Sequence, residues 1–233
     1  MPENHAHHPP ISRAELAKMI DHSLLRPTLT RADTVAGIEL ALHYNTAAVT
    51  IKPCYVSLAA EMVRGTDVLV DPVICFPLGY DTTETKVFQA RQAIDQGAHE
   101  IDMVLNVGAL LGGEYGYVRD DIAAVVLAAQ GAPVKVILEI AYLNAEQIVT
   151  VCRLSEEAGA RFVKTSSGFA PSGYTVEALR LMRASVSERV QVKAAQGVRT
   201  LADALAVREA GATRFGATAT AAIMREWEDA YGE

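Results

Sequence analysis

The chain has 233 residues, half of them apolar, with 21 basic and 28 acidic side chains, six histidines and three cysteines. Its formal charge of −7 supplies no basic excess to hold a phosphodiester backbone, so nucleic acid is not an expected partner. No apolar stretch approaches the ~20 residues of a membrane span, the opening MPENHAHHPP lacks the order of a signal peptide, and Cys54, Cys75 and Cys152 are too few and too scattered for a disulfide framework or a metal knuckle, so a cytoplasmic protein with reduced thiols is expected.

Residues 1–10, with His5, His7, His8, Pro9 and Pro10, read as a disordered or appended extension rather than a metal arm, leaving 11–233 as one domain. From there, short apolar runs alternate with longer segments of helical period. The runs lie near Ile20–Leu25, Ala47–Ile51, Val68–Phe76, Glu100–Val104, Val134–Ile140, Arg161–Lys164, Val190–Ala194 and Thr213–Gly216. Between them the period predicts helices over Arg31–Tyr44, Thr83–Gln96, Gly116–Ala129, Ala145–Ala158, Thr175–Arg183 and Leu201–Ala210. Gln96-Gly97-Ala98, Ala158-Gly159-Ala160 and Ala210-Gly211-Ala212 each put glycine just past a last helical turn, where a left-handed cap is wanted. A run such as VKVILEI, apolar at nearly every position, suits a strand buried on both faces of a parallel sheet. Eight βα units of about 29 residues each point to an α/β fold, a single (β/α)8 TIM barrel, with a doubly wound open sheet as the alternative.

Charge is the exception inside these strands. Asp102 ends the fourth, Glu139 the fifth, Lys164 the sixth and Lys193 the seventh, and barrel active sites form at the carboxyl ends of strands. Two ammonium groups crowded in a partly desolvated pocket disfavour each other's protonation, which makes one of them a neutral nucleophile suited to imine chemistry. Asp102 would then shuttle protons. A structural ion-pair network uses the same residues, and spacing leaves both readings open. The loops after strands six to eight, KTSSG, QGV and FGAT, are rich in glycine and hydroxyls and precede helices, an arrangement that binds phosphate.

The stretches Ile20–Pro27 (IDHSLLRP), FPLG followed by TTETK, EIDMVLNVG, FVKTSSGF, VKAAQGVRT and AGATRFG, in this order along nearly the whole chain, resemble the deoxyribose-phosphate aldolase family. The resemblance implies that Lys164 forms the imine, that Lys193 lowers its pKa and that Asp102 transfers protons. It places Asp21 near the substrate hydroxyls and the phosphate on Ser167, Gly168, Gly197, Val198, Gly216 and Thr218. The implied reaction is reversible cleavage of 2-deoxyribose 5-phosphate to acetaldehyde and glyceraldehyde 3-phosphate, without metal or organic cofactor. A homodimer is a further family-level expectation.

The chain departs from the family pattern in several places. Gln196 replaces a glycine of the phosphate loop, and Ala219 follows Thr218 where a second hydroxyl is common, so weakened phosphate recognition is one expectation. Thr50 and Lys52 stand where the family has cysteine and asparagine; Lys52 reads as a solvated loop lysine, and Cys54 and Cys75 as small packing residues. Tyr231 is a phenol on a short tail, a position from which some relatives reach the site. Glu139 receives no role beyond pairing with a lysine or hydroxyl. The rival readings are an imine aldolase for another aldehyde pair, a phosphate-binding barrel isomerase, and a barrel that has lost activity and survives as a binding protein.

Overall fold

The computed structural model describes residues 9–232; His5, His7 and His8 lie outside them. The described chain is already engaged at Pro10, whose carbonyl accepts a hydrogen bond from Arg208 at 3.2 Å. Eight parallel strands, β1 (Ile20–Leu24), β2 (Ala48–Ile51), β3 (Leu69–Ile74), β4 (Ile101–Val104), β5 (Val134–Ile137), β6 (Phe162–Lys164), β7 (Gln191–Ala194) and β8 (Arg214–Ala217), close into a barrel in sequence order. The last strand pairs back to the first, Asp21 lying beside Gly216. The open-sheet alternative is thereby excluded.

The helices are α1 (Arg13–Met19), α2 (Arg31–Tyr44), α3 (Val56–Met62), α4 (Thr83–Asp95), α5 (Val107–Leu111), α6 (Tyr115–Ala128), α7 (Ala145–Glu157), α8 (Val176–Ser185), α9 (Leu201–Glu209) and α10 (Thr220–Tyr231). Local chemistry sets their ends. Ser12, Thr30, Asn144 and Thr200 form reciprocal capping boxes with Glu15, Asp33, Gln147 and Asp203. Gly97, Gly159 and Gly211 take φ of 98°, 88° and 97°. The alanine after each returns its amide to a carbonyl five residues back, Ala98 to Ala93, Ala160 to Ser155 and Ala212 to Val207, all at 3.0 Å. That closure needs a left-handed residue, which is why the Gly-Ala pair recurs.

Two strands stop short of their apolar runs. β3 and β5 end at Ile74 and Ile137 because Cys75 (φ 47°) and Glu139 (φ 54°) adopt left-handed backbone that no strand carries. Glu139 therefore lies beyond the fifth strand, at the start of a single 3-10 turn. Helices α1, α3 and α5, of 7, 7 and 5 residues, are too short to show a period. α10 is long enough and buries Ile223 and Met224 on one face.

α10 starts at the mouth, just after β8, and runs to the opposite end of the barrel. There Trp227 Nε1 donates to the Ile11 carbonyl at 2.9 Å, and the Tyr231 ring sits 5.9 Å from that of Trp227. Tyr231 is thus placed away from the mouth. No helix of the described residues is long and apolar enough to cross a membrane.

One ion pair in the helical layer is fully buried. Lys86 on α4 donates to Asp121 Oδ2 on α6 at 2.6 Å and to the Val104 carbonyl at the end of β4 at 3.3 Å, and Thr83 holds the other Asp121 oxygen at 2.8 Å. Lys86→Met strands a buried carboxylate and is expected to cost about 3–5 kcal/mol in urea unfolding, most of it recovered by Lys86→Met with Asp121→Leu. A loss under about 1 kcal/mol would contradict the pairing.

His22 faces outward from β1, its Nδ1 2.8 Å from Thr220 Oγ1 at the start of α10. Burial pushes its pKa down to about 4 from 6.5. The folded state therefore resists a proton that the unfolded chain accepts. The stabilisation is complete above pH 6.5 and is lost as pH falls towards 4, by about 3 kcal/mol. Unfolding midpoints of His22→Gln measured across that window are expected to fall less steeply than those of the parent.

Candidate active site

A barrel interior is ordinarily filled by Val, Ile and Leu. Here it is filled by charge. Asp21, Asp71, Asp102, Lys135 and Lys193 have no exposed surface, and Glu100 and Lys164 each retain 3%. With Arg214 they make four carboxylates facing four cations. Parallel register explains the meeting: Asp102 pairs with Lys135 across β4 and β5, and Lys164 with Lys193 across β6 and β7.

The lysines differ in what holds them. Lys193 Nζ lies 2.6 Å from Asp21, 3.0 Å from Asp71 and 2.9 Å from Asp102. It donates to Asp71 and Asp102 and forms a close ion pair with Asp21. Burial opposes its charge, but Asp102, Asp21 and Asp71 outweigh burial and raise its pKa. Lys135 lies 2.8 Å from Asp71 and 2.6 Å from Glu100. Oxygens of Asp21, Asp71 and Glu100 fall within 4.8 Å of one another, a spacing that could suit a metal, and the Lys135 ammonium contacts all three residues. Lys164 contacts one carboxylate, Asp102 Oδ2, at 2.5 Å. Burial lowers its pKa, Lys193 adds to the lowering, and Asp102 opposes it. Burial would raise the Asp102 carboxyl, but Lys164, Lys193 and Lys135 outweigh it and hold the group well below the ordinary range. Asp102 Oδ1 has no hydrogen-bond partner.

Lys164 also reaches solvent. It lines a cavity of about 280 Å³ at the carboxyl end of the barrel, together with Ser167, Gly168, Gly197, Val198, Gly216 and Thr218. Asp102 and Lys193 lie beneath that surface. Asp21, expected near the substrate hydroxyls, lies there too: it is fully buried, its carboxylate 2.6 Å from Lys193 and 2.6 Å from Arg214.

The loops are pinned from below. Glu139 Oε1 accepts the Ser167 amide at 3.0 Å, and the Phe169 amide donates to Ser167 Oγ at 3.1 Å. The Ser167 backbone donor is thereby spent, while its hydroxyl proton stays free. Gln196 keeps the left-handed backbone of a glycine (φ 64°) and turns its side chain to the Ala170 carbonyl at 2.9 Å. This joins the loops after β6 and β7, which also meet at Gly173, where a Cβ would come within 1.7 Å of the Gln196 carbonyl oxygen. Ala219 leaves the start of α10 without a side-chain cap. Lys52, expected in solvent, is half-buried and donates to the Leu29 carbonyl at 2.8 Å. Of the thiols, Cys75 and Cys152 are buried and Cys54 is exposed rather than packed.

Sequence reasoning missed Asp71, Glu100, Lys135 and Arg214, each carrying a signal already in use, a charge within or beside a buried strand. It also missed Arg26 and Arg199, two cationic residues that line the cavity. Both sit in quoted motifs, IDHSLLRP and VKAAQGVRT. Ser167 and Phe169 separate this cavity from a second one of about 250 Å³, lined largely by apolar side chains over the ends of β3 to β5.

A family model described as DeoC/LacD family aldolase matches residues 16–225. A deoxyribose-phosphate aldolase of Thermoanaerobacter sp. (strain X514) is 51% identical over 215 residues, 91% of this chain and 96% of that one. One of Clostridium novyi (strain NT) is 53% identical over 210 residues, 90% and 95% of the two chains. The solved deoxyribose phosphate aldolase of Aeropyrum pernix, described as tetrameric, superposes with a TM-score of 0.87 at 28% identity, covering 94% of this chain and 93% of that one. The chain belongs to the DeoC/LacD aldolase family.

Proposed function

We propose that this protein is a lyase that reversibly cleaves 2-deoxy-D-ribose 5-phosphate to acetaldehyde and D-glyceraldehyde 3-phosphate through an imine on Lys164. The observation that carries the reading is the contrast between the two lysines. Lys193 is buried in contact with three carboxylates that raise its pKa, whereas Lys164 has one carboxylate, a lowered pKa and access to the cavity.

Neutral Lys164 Nζ attacks C1 of the open-chain aldehyde. A proton passes to the carbonyl oxygen to give a carbinolamine, and loss of water leaves the iminium ion. Removing the C3 hydroxyl proton breaks the C2–C3 bond. The bonding pair forms the C1=C2 bond of an enamine, the iminium nitrogen accepts the displaced π pair, and C3 departs as the aldehyde of glyceraldehyde 3-phosphate. Protonation at C2 and addition of water release acetaldehyde and restore Lys164. Asp102, the one carboxylate in contact with the nitrogen and with an unbonded oxygen, is the proton carrier. Lys193 is the fixed cation that disfavours a charged Lys164. Asp21 acts through Lys193 and Arg214.

The phosphate end belongs to the loops carrying Ser167, Gly168, Gly197, Val198, Gly216 and Thr218. Support comes from the free Ser167 hydroxyl, the uncapped start of α10 and the presence of Arg26 and Arg199 among the lining residues.

Incubation with acetaldehyde and sodium borohydride, then peptide mapping, is expected to place one reduced two-carbon adduct on Lys164 and to abolish it in Lys164→Met. An isomerase would give no adduct. Equal labelling of several surface lysines, or none, would support a barrel that has lost its activity. Products other than acetaldehyde and glyceraldehyde 3-phosphate, identified on turnover without borohydride, would favour a different aldehyde pair.

Because Gln196 preserves the glycine backbone, phosphate recognition is expected to survive. kcat/KM for the phosphate ester should exceed that for 2-deoxyribose by about tenfold or more, the worth of one charged hydrogen bond. Gln196→Gly should alter KM for the ester by less than about threefold. Equal specificity constants for the two sugars would establish weakened phosphate recognition instead.

A further inference from the structure

We propose that Asp71 is a positioning residue of this reaction, the carboxylate that holds Lys193 as a cation and through it sets how readily Lys164 gives up its proton; this rests on Lys164 being the imine-forming residue. Asp71 interrupts the apolar run VLVDPVI on β3 and is fully buried. Its Oδ2 lies 2.8 Å from Lys135 and 3.0 Å from Lys193 and accepts from Thr50 Oγ1 at 3.2 Å, while Oδ1 has no hydrogen-bond partner. One oxygen thus bridges the two lysines that do not reach the cavity.

The groups facing Asp71 from the other strands are Asp21 on β1, Thr50 on β2, Glu100 and Asp102 on or beside β4, Lys135 on β5, Lys164 on β6, Lys193 on β7 and Arg214 on β8. With Asp71 ionised, four carboxylates balance four cations. Without that charge three carboxylates remain, and the surplus positive charge falls on Lys135 and Lys193. Lys164, beside Lys193 in the register, then holds its own proton less firmly. Burial, followed by the neighbouring Asp102, raises the Asp71 pKa to about 6. Proton uptake by Asp71 in mild acid therefore makes the interior more positive just where Lys164 would otherwise become protonated.

The test is the pH dependence of imine formation between pH 5 and 9, followed with acetaldehyde and cyanoborohydride as the Lys164 adduct. Asp71→Asn, of the same shape and without the charge, should move the acid limb of the profile down by about one pH unit, giving up to about tenfold faster trapping above pH 6, where Asp71 of the parent is ionised, with the two profiles converging towards pH 5. Thr50→Val removes the hydrogen bond that favours the Asp71 anion and should move the limb the same way by less. A purely structural role would reduce the yield of folded protein and leave the limb where it is. In a folded variant, a limb that stays in place or moves to higher pH overturns the proposal. If Asp71→Asn does not fold, Thr50→Val decides on the same reading. Absence of a Lys164 adduct in the parent overturns both this inference and the aldolase reading, whereas a parent adduct with an unmoved limb overturns Asp71 alone.

Discussion

Everything in the mouth of this barrel depends on three carboxylates converging on the Lys193 ammonium, Asp21 at 2.6 Å, Asp102 at 2.9 Å and Asp71 at 3.0 Å. Removing a single charge from water into a low-dielectric interior is costly enough that it persists only with partners and satisfied hydrogen bonds. Lys193 is held by this arrangement below the cavity surface, out of reach of a substrate. Lys164, one strand away, lies at the boundary between the charged interior and the cavity, which is why the proposed imine is placed on it.

That boundary has separate supports for its two halves. Beneath the loop after β6, Glu139 accepts the Ser167 amide, fixing the segment that leads from Lys164 to the cavity wall. Gln196 ties the loop after β7 to Ala170. A left-handed non-glycine residue costs roughly 1–2 kcal/mol; the side-chain hydrogen bond to Ala170 offsets part of that, and Gly173 lets the two loops meet without a clash. The side chain that stands at 196 in place of the family's glycine is therefore accommodated by a neighbouring contact.

The fold is legible in the sequence because its signals are local. Apolar runs, helical period and Gly-Ala caps each act within a few residues. The site is legible where a charge closes an apolar run in the sequence, as at Lys164, which ends β6, and at Asp102 and Lys193, which the structure places inside β4 and β7. It is less legible where the charge lies within such a run: Asp71 and Lys135 appear in runs that look like ordinary core, and only closure of the barrel shows that both point inward. Asp21 stands in a recognisable motif, yet its depth below the cavity depends on Arg214 reaching it from β8, a contact between residues at opposite ends of the chain. Glu139 appeared to end β5 because an apolar pattern carries no information about a left-handed turn.

The outer layer bears on the same chemistry. Lys86 donates to the Val104 carbonyl, two residues beyond Asp102 on β4, while Asp121 holds Lys86 from α6. On the other side His22 holds Thr220, at the head of α10 beside the Gly216–Thr218 loop. The strand that presents Asp102 is thus fixed from outside by one ion pair and from inside by contacts to Lys164, Lys193 and Lys135. A carboxylate held from both sides keeps its 2.5 Å contact with Lys164 without reorganising as charge moves between nitrogen and oxygen, and low reorganisation is what makes a buried charged site catalytically useful.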